Sequence, residues 1–199
     1  MDININSIKK ELIKTLDKDR YNHTVGVSYT AMCLAMRYEE NIKNAEIAGL
    51  LHDCAKCIPD KKKIKMCLEN NIEITNVEME HPYLLHSKLG AYIAESKYNV
   101  DDQDILNSII KHTTGSDNMT MLEKIVYVAD YIEPKRYKAA NLTEVRKLAF
   151  TDIDMAVYVI MRDTINYLNS KGNVIDNNTN IAYTYYKDLI DNRNKTQLT

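Results

Sequence analysis

The sequence predicts an all-α protein, and three observations carry that prediction. Apolar residues recur at helical spacing along most of the chain, with no segment of strand-like alternation. Capping residues stand where the periodic segments begin. Only 5 glycines and 3 prolines occur in 199 residues, too little turn punctuation for a β-sandwich or a Gly-rich nucleotide-binding sheet.

The elements follow in chain order. Asn6 and Ser7 are placed to cap a first helix running toward Asp17, with Ile8, Leu12, Ile13 and Leu16 as its apolar stripe. A second helix starts near Asp19 and carries Val25, Met32, Ala35 and Met36. Asn44 caps a third, with Ile47, Leu50 and Leu51 on its buried face. Pro59 and Asp60 break the chain, and Lys61, Lys62 and Lys63 read as a solvated helix start. Residues 70–85 are polar and mixed, and are expected to form a loop. Helices then fit Leu85 to Glu95 and Asp101 to Lys111. Thr120-Met-Leu-Glu123 is a capping box, because the threonine and glutamate side chains can each satisfy an amide of the first turn. It opens a helix through Ile125, Val128, Ala129 and Ile132 that Pro134 ends. Further helices span Thr143 to Leu148, Asp152 to Leu168 and Thr179 to Ile190, with Gly172 stopping the middle one. The tail after Asp191 is polar and expected to fray. No linker or repeat divides the chain, so one domain is expected over 1–199, its core at about 5–190.

Composition excludes several classes. A chain of 199 residues can bury roughly 70% of its unfolded surface and needs no disulfide or zinc staple. With 26 basic and 28 acidic residues, net charge is -2, which provides no footprint for a nucleic-acid polymer and no charge excess for disorder. Cys33, Cys54, Cys57 and Cys67 do not form a disulfide framework. Cys54 and Cys57 make a lone C-x-x-C without a second pair, and packing on a helix is the plain reading. No apolar run approaches the ~18 residues of a membrane span, and MDININSIKKELIK is too charged for a signal peptide. A cytoplasmic location without membrane contact is therefore expected.

The five histidines carry the chemistry. His52-Asp53 closes an apolar helical run in AGLLHDCAK. Histidine and aspartate together suit a divalent metal, since one offers an imidazole lone pair and the other a hard oxygen. His23 lies on the preceding helix, His81 and His86 in HPYLLHSKLGA, and His112 at the end of IIKHTTG. Asp130 sits in the apolar string KIVYVADYIEPKR, where an uncompensated carboxylate would be costly to bury. Each has a plainer reading: His112 as a core histidine, His86 as a helix cap, His81 as surface, Asp130 as a salt-bridge partner of Arg136 or Lys135. The joint pattern is harder to assign to packing.

His23, His52-Asp53 and Asp130 match the H…HD…D order of the HD superfamily of metal-dependent phosphohydrolases, which the chain resembles over about residues 5–190. The strings LLHDCAK, LLHSKLGA and KHTTGSDNMTMLEKIVYVADYIEPKR are similar to those of the small bacterial YqeK-type subfamily, symmetrical diadenosine tetraphosphate hydrolases. The resemblance implies one HD-domain helical bundle, with His23, His52, Asp53 and Asp130 as metal ligands and iron as the metal. Ligand type alone allows iron, manganese or zinc. His86 and His112 match additional histidines that hold a second metal or donate to phosphate, and His81 reads as a bystander. The implied reaction is attack on an inner phosphorus by hydroxide generated at the metal, giving two ADP, with Asp53 orienting or deprotonating the water.

A polyphosphate also needs cations. Arg20 lies three residues before His23 on the same helix face, Lys56 follows His52 by four, and Arg136 follows the Asp130 helix. These are the phosphate-contact candidates. Tyrosine-rich C-terminal helices permit a homodimer without requiring one. Two alternatives stand beside this reading. One is an HD phosphohydrolase or phosphodiesterase acting on another nucleotide, to be separated by product analysis. The other is a non-catalytic helical module, which would carry no stoichiometric metal and would tolerate Asp53→Ala.

Overall fold

The structure, a computed structural model, describes residues 3–196. Among them it contains α-helices α1 (Ile5–Thr15), α2 (Lys18–Arg37), α3 (Ile42–Leu51), α4 (Asp60–Glu69), α5 (Asn76–Glu80), α6 (His86–Tyr98), α7 (Gln103–Lys111), α8 (Met121–Ile132), α9 (Leu142–Thr151), α10 (Ile153–Ser170) and α11 (Asn177–Thr196). A 3-10 turn at Pro82–Leu85 precedes α6, and no strand occurs among the described residues. The protein is all-α.

Helix α8 is the hub. It packs on α2, α3, α7, α9 and α10, and Leu122, Ile125, Val126, Val128, Ala129 and Ile132 are all buried. Each large aliphatic side chain so placed contributes about 1.5–3 kcal/mol of transfer free energy. A helix with apolar side chains buried on so many sides sits in the middle of the bundle. Helix α3 crosses α2 closely at Gly49, where a methyl group would lie 2.7 Å from the Ser28 Cα. That contact brings the C-terminal end of α3, with His52, against α2, with His23. On the far side, α11 seats Ala182, Tyr186 and Ile190 in the core beside α10. The Tyr186 hydroxyl accepts the Met119 N–H at 3.2 Å, anchoring the segment that enters α8.

Two caps differ from expectation in the same way. The first helix is capped by Asn4, whose Oδ1 accepts the Ser7 N–H, and the third by Asn41, whose Oδ1 accepts the Asn44 N–H. Ser7 and Asn44 therefore supply the capped amide three residues on, and are not the caps. Thr120 and Glu123 form the expected capping box, and Asp17, Asp102 and Asp152 cap α2, α7 and α10. Residues 70–85 are only partly a loop: residues 70–75 are irregular, and α5 and the 3-10 turn at Pro82–Leu85 follow. Thr75 and Glu78 make a second capping box over α5, a T-x-x-E signal legible in the sequence. Lys63 is not solvated either: it is buried, with its ammonium 2.8 Å from Asp60 Oδ1, while Lys61 and Lys62 are exposed. On α2 the buried stripe is Val27, Ala31, Leu34 and Ala35, and Met36 points out. Helix α11 continues through the polar tail to Thr196; residues 197–199 of that tail lie outside the described residues.

Candidate metal centre

Four helix ends and one helix interior converge on a single point. His23 comes from the first half of α2, and His52 and Asp53 from the close of α3. His86 opens α6, His112 ends α7, and Asp130 lies in the last turn of α8. Helix ends suit this task because the chain turns there and can aim side chains along the helix axis.

The donor atoms are crowded. His23 Nε2 lies 3.0 Å from Asp130 Oδ1 and 4.0 Å from Asp53 Oδ2. His52 Nε2 is 3.5 Å from Asp53 Oδ2. His86 Nε2 and His112 Nε2 lie 3.2 and 3.5 Å from Asp53 Oδ1, and 3.2 Å from each other. His52, Asp53, His86 and His112 are all buried.

Proton positions follow from the backbone. The Nδ1 atoms of His52, His86 and His112 each face a carbonyl oxygen, of Gly49, Tyr83 and Ile109, at 2.6–2.7 Å. A carbonyl only accepts, so each Nδ1 carries the hydrogen and each Nε2 presents a bare lone pair to the centre. The buried atoms His23 Nε2, His52 Nε2 and Asp53 Oδ1 have no hydrogen-bond donor. Lone pairs gathered this tightly repel unless a cation lies among them, and buried acceptors left unmet are costly. Two groups have ligand atoms within 4.8 Å of one another: His23, His52 and Asp130, and His52, Asp53 and His112. The donor set fits a divalent metal.

The charges agree. Burial alone would raise the Asp53 carboxyl, but the surrounding imidazoles, His52 foremost, hold it well below the usual carboxylate range. Burial opposes ionisation of Asp130 too, and His23, His52 and Arg136 outweigh it, leaving the group ionised. His86 is pushed down to about 4, by burial first and further by the Lys56 ammonium, with Asp53 opposing, so it is neutral and free to act as a lone-pair donor. Burial also lowers Lys56, with Asp53 and Asp130 opposing.

All three expected cations border the centre. Arg20 Nη1 donates to Asp53 Oδ2 at 2.6 Å. Lys56 Nζ lies 3.7 Å from Asp53 Oδ1 and 3.0 Å from His86 Nε2. Arg136 Nη2 donates to Asp130 Oδ1 at 2.8 Å, and its Nε to the Asp130 carbonyl at 3.1 Å. Arg20, His23 and Arg136 line an open cleft of about 760 Å³ with Lys135 and Lys138, and with the carboxylates Asp17, Asp19 and Glu133. A second cavity of about 190 Å³ lies against Lys56, His112, Asp130 and Arg136, so Arg136 borders both. His81 stays out of the cluster, its ring edge-on to Tyr83 at 6.0 Å between centroids.

Two residues escaped the sequence reading. Thr113 places its hydroxyl 3.1 Å from both His86 Nε2 and His112 Nε2, with nothing in KHTTG to mark it. Glu133 is buried with its Oε1 3.2 Å from His23 Nδ1. Its signal was available: a carboxylate one turn after Asp130 in an apolar helix, hence on the same face.

An all-helical frame holding three imidazoles, a His-Asp pair and a distant aspartate around one metal-sized point is the setting of a metal-dependent hydrolase. The chain belongs to the HD-domain family: residues 20–135 match it, a span that runs from Arg20 to just short of Arg136. It is 40% identical over 170 residues to a protein of Bacillus subtilis (strain 168) named symmetrical bis(5'-nucleosyl)-tetraphosphatase, covering 85% of this chain and 90% of that one. A Staphylococcus aureus (strain NCTC 8325 / PS 47) protein of the same name is 33% identical over 187 residues, 92% of this chain and 95% of the relative. Among solved structures, one from Clostridium acetobutylicum, described as a predicted HD superfamily hydrolase involved in NAD metabolism, superposes with a TM-score of 0.90. It is 39% identical and covers 93% of this chain and 97% of its own.

Proposed function

We propose that the chain hydrolyses dinucleoside polyphosphates, cleaving diadenosine tetraphosphate symmetrically to two ADP. One observation carries the reading: buried, donorless atoms of His23, His52 and Asp53 gather beside a cleft to which Arg20, Lys135, Arg136 and Lys138 bring cations, with Asp17, Asp19 and Glu133 also on its walls. Relatives of nearly full coverage that bear the name of this activity support it.

His23, His52, Asp53 and Asp130 would hold a divalent metal, and iron is the ion we assign. When bound, such an ion acidifies water and offsets charge on the phosphoryl oxygens. The protein's own residues do the rest. Asp53, kept ionised, can accept a hydrogen bond from a water at Oδ1 and so orient it. Arg136, placed between the two cavities, can fork onto phosphate oxygens of either half of the substrate. Arg20 and Lys56 neutralise Asp53 at rest and offer donors to the polyphosphate. His86 and His112, with bare Nε2 atoms, are better suited to accept from water or to hold a second metal than to donate to phosphate. We read the chain as one HD domain, about residues 5–190, acting in the cytoplasm. Among the described residues no helix is long and apolar enough to cross a membrane, and all four thiols are free.

The test is a nucleotide panel with chromatographic product analysis, on protein purified anaerobically and assayed for metal. Two ADP from diadenosine tetraphosphate with stoichiometric iron are expected. AMP plus ATP, or turnover confined to mononucleotides or cyclic nucleotides, would overturn the substrate reading.

A further inference from the structure

We infer that Glu133 is a positioning residue for the metal centre, a buried carboxylate that fixes the ring of His23 and ties it to the cationic turn after α8. The inference rests on reading His23 as a metal ligand.

Glu133 is 2% exposed at the end of α8. Burying a carboxylate there is costly unless directional donors compensate it, and two do. His23 Nδ1 faces Oε1 at 3.2 Å, and the Lys135 N–H donates to Oε2 at 2.8 Å. Both ring nitrogens of His23 face a carboxylate, but only Nδ1 meets its oxygen with hydrogen-bond geometry, and Nε2 makes no hydrogen bond although Asp130 Oδ1 lies at 3.0 Å; the hydrogen therefore sits on Nδ1 and the lone pair of Nε2 is left for the centre. A carboxylate on the outer nitrogen also makes the ring a stronger donor to a cation.

The surroundings keep Glu133 in place. Gly26 lies one turn after His23, and a methyl group there would stand 2.6 Å from Glu133 Oε2, so a side chain at 26 would displace the carboxylate. From α9, Arg146 donates to the carbonyls of Ile132, Glu133 and Arg136 at 2.9–3.0 Å. One carboxylate therefore sets the orientation of a ligand ring and the start of the turn that carries Lys135 and Arg136.

Two variants test this without reference to any nucleotide. Metal-free protein labelled with 15N-histidine is titrated with Co²⁺, and the tautomer of His23 is read by long-range imidazole NMR, its signal identified by its loss in His23→Asn. Native protein is expected to show His23 protonated on Nδ1. Glu133→Ala should lose that single tautomer and bind Co²⁺ about 10–100-fold more weakly, with its helical circular dichroism retained. Glu133→Gln, which keeps an acceptor oxygen, should restore the tautomer and part of the affinity. Gly26→Ala displaces the carboxylate without removing its charge and should weaken Co²⁺ binding in the same direction; it carries the test alone if Glu133→Ala fails to fold. Co²⁺ affinity within twofold of native in both variants, or in Gly26→Ala alone in that case, would overturn the inference, as would an unchanged His23 tautomer in Glu133→Ala. Failure to cleave diadenosine tetraphosphate would instead count against the substrate reading alone.

Discussion

Arg136→Met should separate catalysis from folding. In the resting protein Arg136 makes two hydrogen bonds to Asp130, one to the carboxylate at 2.8 Å and one to the carbonyl at 3.1 Å. The guanidinium is 41% exposed and Asp130 is 22% exposed. An ion pair this open is screened, so its loss should cost at most about 1 kcal/mol of stability. For a chain of this size that is a fall in melting temperature of roughly 2–4 °C. The catalytic cost is larger. A charge-assisted hydrogen bond to a phosphate in a partly desolvated site is worth about 1.5–3 kcal/mol. If that contact strengthens in the transition state, its loss lowers kcat/KM about 10- to 150-fold. Arg136→Lys keeps the charge and loses the fork, and should fall between. The assay is ADP release from diadenosine tetraphosphate across a range of substrate concentrations, beside a thermal melt of each variant. Activity of Arg136→Met within twofold of native, or a melting temperature lowered so far that inactivity reflects unfolding, would refute the assignment.

Other predictions follow from the same geometry. His52→Ala and Asp130→Ala should each lose bound metal and hydrolysis while staying helical, and full metal occupancy in both by elemental analysis would contradict the ligand set. His81→Ala should retain most activity, since His81 faces Tyr83 and not the cluster; a loss as deep as that of His52→Ala would show otherwise. Tyr186→Phe removes the acceptor of the buried Met119 N–H and should cost about 1–2 kcal/mol in urea unfolding, with turnover per folded molecule unchanged. The metal-free protein should weaken as pH falls from about 6.5 toward about 4. His86 ordinarily titrates near 6.5 and is held down to about 4 in the fold, so in that window the unfolded chain takes up a proton that the native state refuses. A flat stability profile there, measured by denaturant titration at several pH values, would argue against a buried neutral His86.

Much of the fold was legible because helices announce themselves locally. Apolar spacing marked α8 and α10, and the T-x-x-E pair marked the start of α8. The errors were also local. Asn44 and Ser7 have the composition of caps, yet the residues three positions earlier adopt the extended backbone that a cap needs. Lys63 looked solvated because three lysines in a row usually are; a helix turns about 100° per residue, and one of the three had to face inward. The ligand candidates were legible as types in order, since a His-Asp pair and an aspartate in an apolar helix are hard to place otherwise.

What the sequence by itself determined was therefore the class: helices throughout, a near-neutral surface, and a set of imidazoles and carboxylates suited to a divalent metal. What only the tertiary structure decided was which of those groups meet and in which protonation state. His23 and Asp130 are 107 residues apart in sequence, and their atoms lie 3.0 Å apart because α2 packs directly on α8, while Gly49 lets α3 close on α2 and bring His52 to the same point. Carbonyls at the ends of α3 and α7 and beside the start of α6 place the hydrogens on Nδ1 and leave the lone pairs facing inward. No spacing rule carries that information, because each imidazole's hydrogen is placed by the acceptor that the folded backbone sets beside it.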